Sequence, residues 1–186
     1  MDKATEAPAA AIDKGRAVFR IVIAGSQQAI FDELASVDRP LGAIFNSCMA
    51  TTGRKRGGRI QMRTVSGRHT IVDGDIIEYD PPHRFVHTHR FTQFDDPACV
   101  VTYELKPVDG GVEVTLTVDD MPLATKTAAE MMRGGDFMLK NLKAIVETGR
   151  PPLATRLLYA MFGAMEFVLP ARTKTEHWPL DRKDPR

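Results

Sequence analysis

Apolar and polar residues alternate through the middle of this chain, then give way to helical spacing. Val112, Val114, Leu116 and Val118 alternate with Glu113, Thr115 and Thr117. That two-residue period marks a strand with one face in a core and the other in solvent. The same period runs from Ala17 to Ile23, where Phe19, Ile21 and Ile23 alternate with Val18, Arg20 and Val22. It recurs with Phe85, His87, His89 and Phe91 on one face and Val86, Thr88, Arg90 and Thr92 on the other. Turn signals at Thr52-Gly53, Gly57-Gly58, Ser66-Gly67, Pro81-Pro82, Asp95-Asp96-Pro97 and Asp109-Gly110-Gly111 divide the stretch from Phe45 to Val118 into six short strands. Pro81 and Pro82 lack amide donors, so they end one strand and force a turn before the next.

Helical spacing frames these strands. Ser26 is a good N-cap for a helix carrying Ile30, Phe31 and Leu34 on one face. Asp38-Arg39-Pro40 marks a new start and predicts a short second helix around Leu41 to Ile44. After Pro122 an apolar stripe of Ala128, Met131, Met132, Gly135, Met138, Leu139, Leu142, Ile145 and Val146 predicts a long amphipathic helix. Gly149 caps it and Pro151-Pro152 prevents its continuation. Leu153 to Leu169 is then nearly all apolar, with a narrow stripe of Arg156, Tyr159, Gly163 and Glu166. Such a helix wants burial on most sides, against the body of the protein or against the same helix of a second copy. It is short for a membrane span.

Composition narrows the class. The 186 residues suffice for one domain with a sizeable core. The formal net charge of +1 names no partner by bulk electrostatics. Cys48 and Cys99 form no disulfide framework, and the Ala- and Pro-rich start lacks a secretory h-region, so the expectation is a cytoplasmic protein with reduced thiols. No nucleophile elbow, Walker loop, Rossmann glycine pattern or Cys-x-x-Cys motif is present. Arg54, Lys55, Arg56, Arg59, Arg63 and Arg68 form a basic run without interleaved aromatics, which argues against nucleic acid and fits a solvated sheet edge.

Gly74 to Thr88 combines a glycine, a hydrophobic strand with an acidic residue, Asp80-Pro81-Pro82, a basic residue and a second apolar strand. This segment resembles a signature of the START-like (SRPBCC) superfamily. Within it, the segment is most similar to the branch of homologues of the ATPase activator of the ninety-kilodalton heat-shock protein. Leu139-Lys140-Asn141-Leu142-Lys143, followed by Val146-Glu147-Thr148-Gly149, resembles the closing helix of that family, and Gly57-Gly58-Arg59-Ile60 is a third, weaker match. The resemblance covers roughly residues 16–150. It implies an α+β helix-grip (START-like, Bet v-like) fold, in which a curved antiparallel sheet wraps around a long helix. The division that follows is a flexible tail over 1–15, the START-like domain over 16–150, and an extension over 151–186 with an apolar helix. Relatives usually carry a tryptophan near Gly135, and its absence here predicts extra room against the sheet.

Strand parity and the helical stripe turn Phe85, His87, His89, Phe91, Val101, Tyr103, Val114, Leu116, Met131, Met138 and Leu142 toward the space between sheet and helix. The resemblance makes that space an apolar cavity, and flexible methionines suit an adaptable one. The leading expectation is therefore binding of a small hydrophobic or amphipathic molecule, a lipid included, with no cofactor and no catalysis assigned. His87 and His89, two apart on one strand, share a face suited to ligand contact, acid–base work or metal ligation. Plain packing is the other reading. A metal would need a third ligand, and Asp73, Asp75, Glu78 and Glu104 are candidates by strand adjacency alone. No metal is expected. Two alternatives stand beside ligand binding. One is a cyclase, aromatase or hydratase-like enzyme using His87, His89 or Tyr103 as general acid or base. The other is a chaperone-type interaction module. The apolar helix over 153–169 adds the expectation of a homodimer.

Overall fold

Strands form where the alternation predicts them. The computed structural model describes residues 15–181, and the tail expected over 1–15 lies outside them apart from Gly15. The strands are β1 (Ala17–Ile23), β2 (Cys48–Thr51), β3 (Arg59–Arg63), β4 (Thr70–Asp80), β5 (Arg84–Phe91), β6 (Cys99–Val108) and β7 (Gly111–Asp119). They build one seven-stranded sheet in the order β1-β7-β6-β5-β4-β3-β2. Every neighbouring pair is antiparallel. Register breaks at Met62/Arg63 and at Ile76/Glu78 bend the sheet where it turns toward its β2 edge.

Among the described residues three α-helices complete the α+β fold: α1 (Gln27–Ala35), α2 (Lys126–Thr148) and α3 (Leu153–Ala164). The Ser26 side chain caps α1, and Thr125 caps α2. Gly149 ends α2 in the left-handed conformation at φ 77°, where a residue without a Cβ is favoured. The stripe of α2 closes the concave face of the sheet, with Ala128, Met131, Gly135, Met138, Leu139 and Leu142 buried. Register explains the other half of this core. Phe85, Tyr103, Leu116 and Phe19 are neighbours across four strands, as are His87, Val101, Val118 and Ala17.

Three expectations are corrected. The apolar helix expected over 153–169 ends at Ala164, and a separate short turn of 3-10 helix follows over Glu166–Val168. Leu41 to Ile44 is not a helix. It is a turn closed by the Leu41 amide on the Ser47 carbonyl and the Ile44 amide on the Leu41 carbonyl. Phe45 and Asn46 sit at φ 51° and 55°, the left-handed region that a right-handed helix cannot continue through. The room expected beside Gly135 is also filled. A Cβ on Gly135 would stand 2.5 Å from the Phe19 ring, so β1 supplies the aromatic bulk that the helix lacks.

Candidate functional site

The centre of the sheet carries a continuous run of rings. Phe85 and His87 have centroids 5.1 Å apart, His87 and His89 5.9 Å, and His89 meets Phe91 edge-on at 4.8 Å. Tyr103 lies across from His87 at 6.2 Å. The period of β5 produces this arrangement, because residues 85, 87, 89 and 91 share its core face. His87 is 1% exposed, and Phe85, Val101, Tyr103, Val114, Leu116, Met131, Met138 and Leu142 are all buried with it. His89 and Phe91, nearer the strand end, are partly exposed.

Two polar atoms in this apolar setting lack a partner among the described residues: Nε2 of His87 and Nε2 of His89. Leaving such an atom unsatisfied costs about 1–3 kcal/mol. The tautomer of His87 follows from its other nitrogen. Nδ1 stands 2.9 Å from the Thr88 carbonyl oxygen, which only accepts, so Nδ1 carries the proton. Burial lowers the His87 pKa to about 4, against a weaker upward pull from the Thr88 carbonyl. The ring is therefore neutral near pH 7, and Nε2 presents a bare lone pair. Burial, followed by the neighbouring His87, lowers His89 to about 3. Burial also raises the Tyr103 pKa, so that phenol stays protonated. Among the described residues its hydroxyl has only the Met138 sulfur, at 3.6 Å, as acceptor.

The acids do not join the histidines. Asp73 pairs with Arg59 and receives Gln61, while Glu78 and Glu104 both pair with Arg84. Asp75 faces Arg59 at 3.5 Å. Among the described residues, no group of three or more His, Cys, Asp or Glu is arranged around a metal position. Burial raises the Cys99 thiol to about 11, which leaves it a poor nucleophile. Of the basic run, Arg59 and Arg68 are drawn into ion pairs and Arg63 donates to Gln61, while Arg54, Lys55 and Arg56 are exposed. Two surface hollows of about 480 and 520 Å³ lie beside Glu166 and beside Arg150, away from the ring run.

The sequence reading missed Asn141. It is buried beside Leu142, donates to the Phe137 carbonyl and accepts from Thr155 of α3. Its place within a long apolar stripe was the available signal, since a polar residue there needs a partner.

A model of one family, Activator of Hsp90 ATPase homolog 1-like protein, matches residues 18–147. The chain belongs to this family. The match spans β1 to the last turn of α2, the elements that carry the ring run. No curated protein matches the chain. Solved structures share the fold at low identity. A dimeric Aha1 from Colwellia psychrerythraea is 20% identical at a TM-score of 0.59, over 72% of this chain and 97% of that one. CalU16 from Micromonospora echinospora is 16% identical at 0.59, over 90% and 98%. Protein MLL2253 from Mesorhizobium loti is 15% identical at 0.59, over 71% and 96%. These likenesses establish the helix-grip fold for this Aha1-like chain.

Proposed function

We propose that this protein binds a small amphipathic molecule between sheet and α2, and that the molecule supplies a hydrogen-bond donor to His87. One observation carries the reading: a neutral, buried imidazole whose Nε2 lone pair has no partner among the described residues. An apolar ligand body would replace packing among Phe85, Val101, Val114 and Met131. A hydroxyl or N–H at its polar end would satisfy the lone pair and recover the desolvation cost. Entry requires side chains to move, since His87 is 1% exposed. The thioethers of Met131 and Met138 are suited to that, being unbranched and flexible. A carboxylate ligand is disfavoured, because the site offers a lone pair and no cation.

The test is a matched pair of probes, 2-naphthol and 2-methoxynaphthalene, which differ in the ability to donate. Titration calorimetry should give tighter binding of the naphthol by about 1–1.5 kcal/mol, and a His87→Leu variant should abolish the preference. Equal affinities in the wild type, with unshifted His87 ring nitrogens by NMR, would reject the reading. The same lone pair is what a proton-transferring enzyme would use, so conversion of a bound compound, lost in His87→Leu, would mark a catalyst rather than a carrier. The family's name also points to activation of the Hsp90 ATPase, and an ATPase assay with this chain added tests that role separately. Because the Colwellia psychrerythraea relative is a dimer, light scattering on this chain asks whether a homodimer forms through α3.

A further inference from the structure

α3 sits on the body with its polar side inward. Thr155 donates to Asn141, Tyr159 donates to the Gly42 carbonyl, and just beyond the helix Glu166 accepts from Thr64 and Ser66 and pairs with Arg68. Thr155 and Tyr159 are the buried residues of the helix. Most of its large apolar residues point the other way, with Leu158 partly buried at the side. Leu153, Leu157, Met161 and Met165 recur every fourth residue on one outward line, continued by Phe167 and Val168. Leu157 is 64% exposed and Phe167 83%. Soluble helices normally turn such a face to the core. Here the hydrogen bonds fix the helix so that the apolar line meets whatever lies outside.

Charge around the line is one-sided. Arg150 and Arg156 flank its start, are exposed, and have no ion pair among the described residues. Between Arg150 and Lys174 the one acid is Glu166, which is buried and engaged with Arg68. Near Phe167, Glu176 is matched by Lys174. We infer that α3 and the following turn lie on an anionic lipid bilayer, with the apolar line inserted at the headgroup boundary and Arg150 and Arg156 against lipid phosphates. The helix spans 12 residues, about 18 Å, too short to cross a hydrocarbon core of about 30 Å. Among the described residues no helix is long and apolar enough to cross. Lying in the interface, apolar face down and cations at the phosphate level, is the arrangement left for such a segment. A second copy is the rival occupant. An isologous contact would set this line on its own image, where neither arginine finds a free carboxylate on the opposing line.

Vesicle flotation decides between them, using the full chain with phosphatidylcholine vesicles and with vesicles that also contain phosphatidylglycerol. The expectation is binding that increases with phosphatidylglycerol and falls with added salt. Leu157→Glu and Phe167→Glu, at exposed positions that leave the fold intact by circular dichroism, should each weaken it about tenfold or more. Arg150→Gln and Arg156→Gln should each weaken it about fivefold on the anionic vesicles. The proposal is overturned if neither vesicle binds the wild type, if binding is indifferent to Leu157→Glu, or if the chain is a stable dimer that Leu157→Glu dissociates.

Discussion

The helix-grip body and the C-terminal extension use amphipathic residues in opposite ways. In the body, polar imidazole atoms are stranded in an apolar core. In the extension, apolar side chains are stranded in solvent while Thr155, Tyr159 and Glu166 make the attachments. Each arrangement leaves an unfavourable term that no contact among the described residues removes: about 1–3 kcal/mol for an unsatisfied buried atom, and about 1.5–3 kcal/mol of unrealised burial for each large apolar residue. An unfavourable term of one kind inside and of the other kind outside points to two different external components. A donor-bearing small molecule suits the first, and an apolar surface suits the second.

The largest expected effect tests the body. An unfolded histidine titrates near 6.5, whereas His87 and His89 are held to about 4 and about 3. Below pH 6.5 the unfolded chain binds more protons than the folded one. Stability should therefore be full above about pH 6.5 and fall as pH drops toward 4 and then 3, by up to about 1.4 kcal/mol per pH unit for each ring. Urea denaturation at pH 7, 5.5 and 4.5 measures this, and His87→Leu should flatten the slope by about half. A wild-type midpoint that does not move over that range would mean the rings are not desolvated, and the contrast between the two regions would collapse.

Adjacent glycines in α2 sharpen the same point, because they face different surroundings. An added Cβ at Gly135 would collide with the buried Phe19 ring at 2.5 Å, whereas at Gly134 it would rest 3.5 Å from Phe45. Gly135→Ala should destabilise by about 1–3 kcal/mol through overpacking. Gly134→Ala should stabilise by up to about 1 kcal/mol through helix propensity. If thermal unfolding shows both to be stabilising, the body has slack beside Phe19 and a ready-made cavity there.

The sheet was legible in the sequence because alternation fixes both the existence of a strand and the face of each residue. That is why His87 and His89 could be placed inward beside Phe85. The missing hydrogen-bond partner was not legible, since it depends on the Thr88 carbonyl consuming Nδ1 and on an apolar neighbourhood drawn from β6, β7 and α2. Gly135 misled for a related reason. Its filler, Phe19, lies more than a hundred residues away, and only the β1–β7 pairing brings it there. The start and composition of α3 were readable, but not its end, which falls at Ala164 rather than Leu169, nor its orientation. Composition alone argues for burial, while the partners that hold it polar side inward are Asn141, the Gly42 carbonyl and the β3–β4 hairpin. The turn at Leu41 to Ile44 hid behind two non-glycine residues in the left-handed region.

Glu166 tests how the extension is attached. Burial alone would raise its pKa, but hydrogen bonds from Ser66, Thr64 and Arg68, with the charge of Arg68, hold it at about 2. This carboxylate therefore stabilises the attachment above about pH 4.5, and the contribution is lost as pH falls toward 2. Glu166→Gln should cost about 1–3 kcal/mol of local stability. Hydrogen exchange should accelerate in residues 153–178 while β1 and β7 stay protected. Tyr159→Phe, which removes the hydrogen bond to the Gly42 carbonyl, should act in the same direction by about 1 kcal/mol. Uniform acceleration across the whole sheet would show that body and extension open as one unit.

The smallest expected effect is the most pointed. If the outward line of α3 serves something other than the fold, removing its apolar groups should leave stability unchanged. Leu157→Ser and Phe167→Ser remove large side chains that are 64% and 83% exposed. Surface changes of this kind usually fall within about 0.5 kcal/mol. Urea midpoints in dilute solution should therefore match the wild type, in contrast to Tyr159→Phe, only two and eight residues away. Protein concentration is the control, because a contact between copies would make the wild-type midpoint rise with concentration while the serine variants stay flat. A loss of 2 kcal/mol or more at low concentration would show that these residues pack within the monomer. The apolar line would then belong to the core, and the opposition between the two regions would not hold.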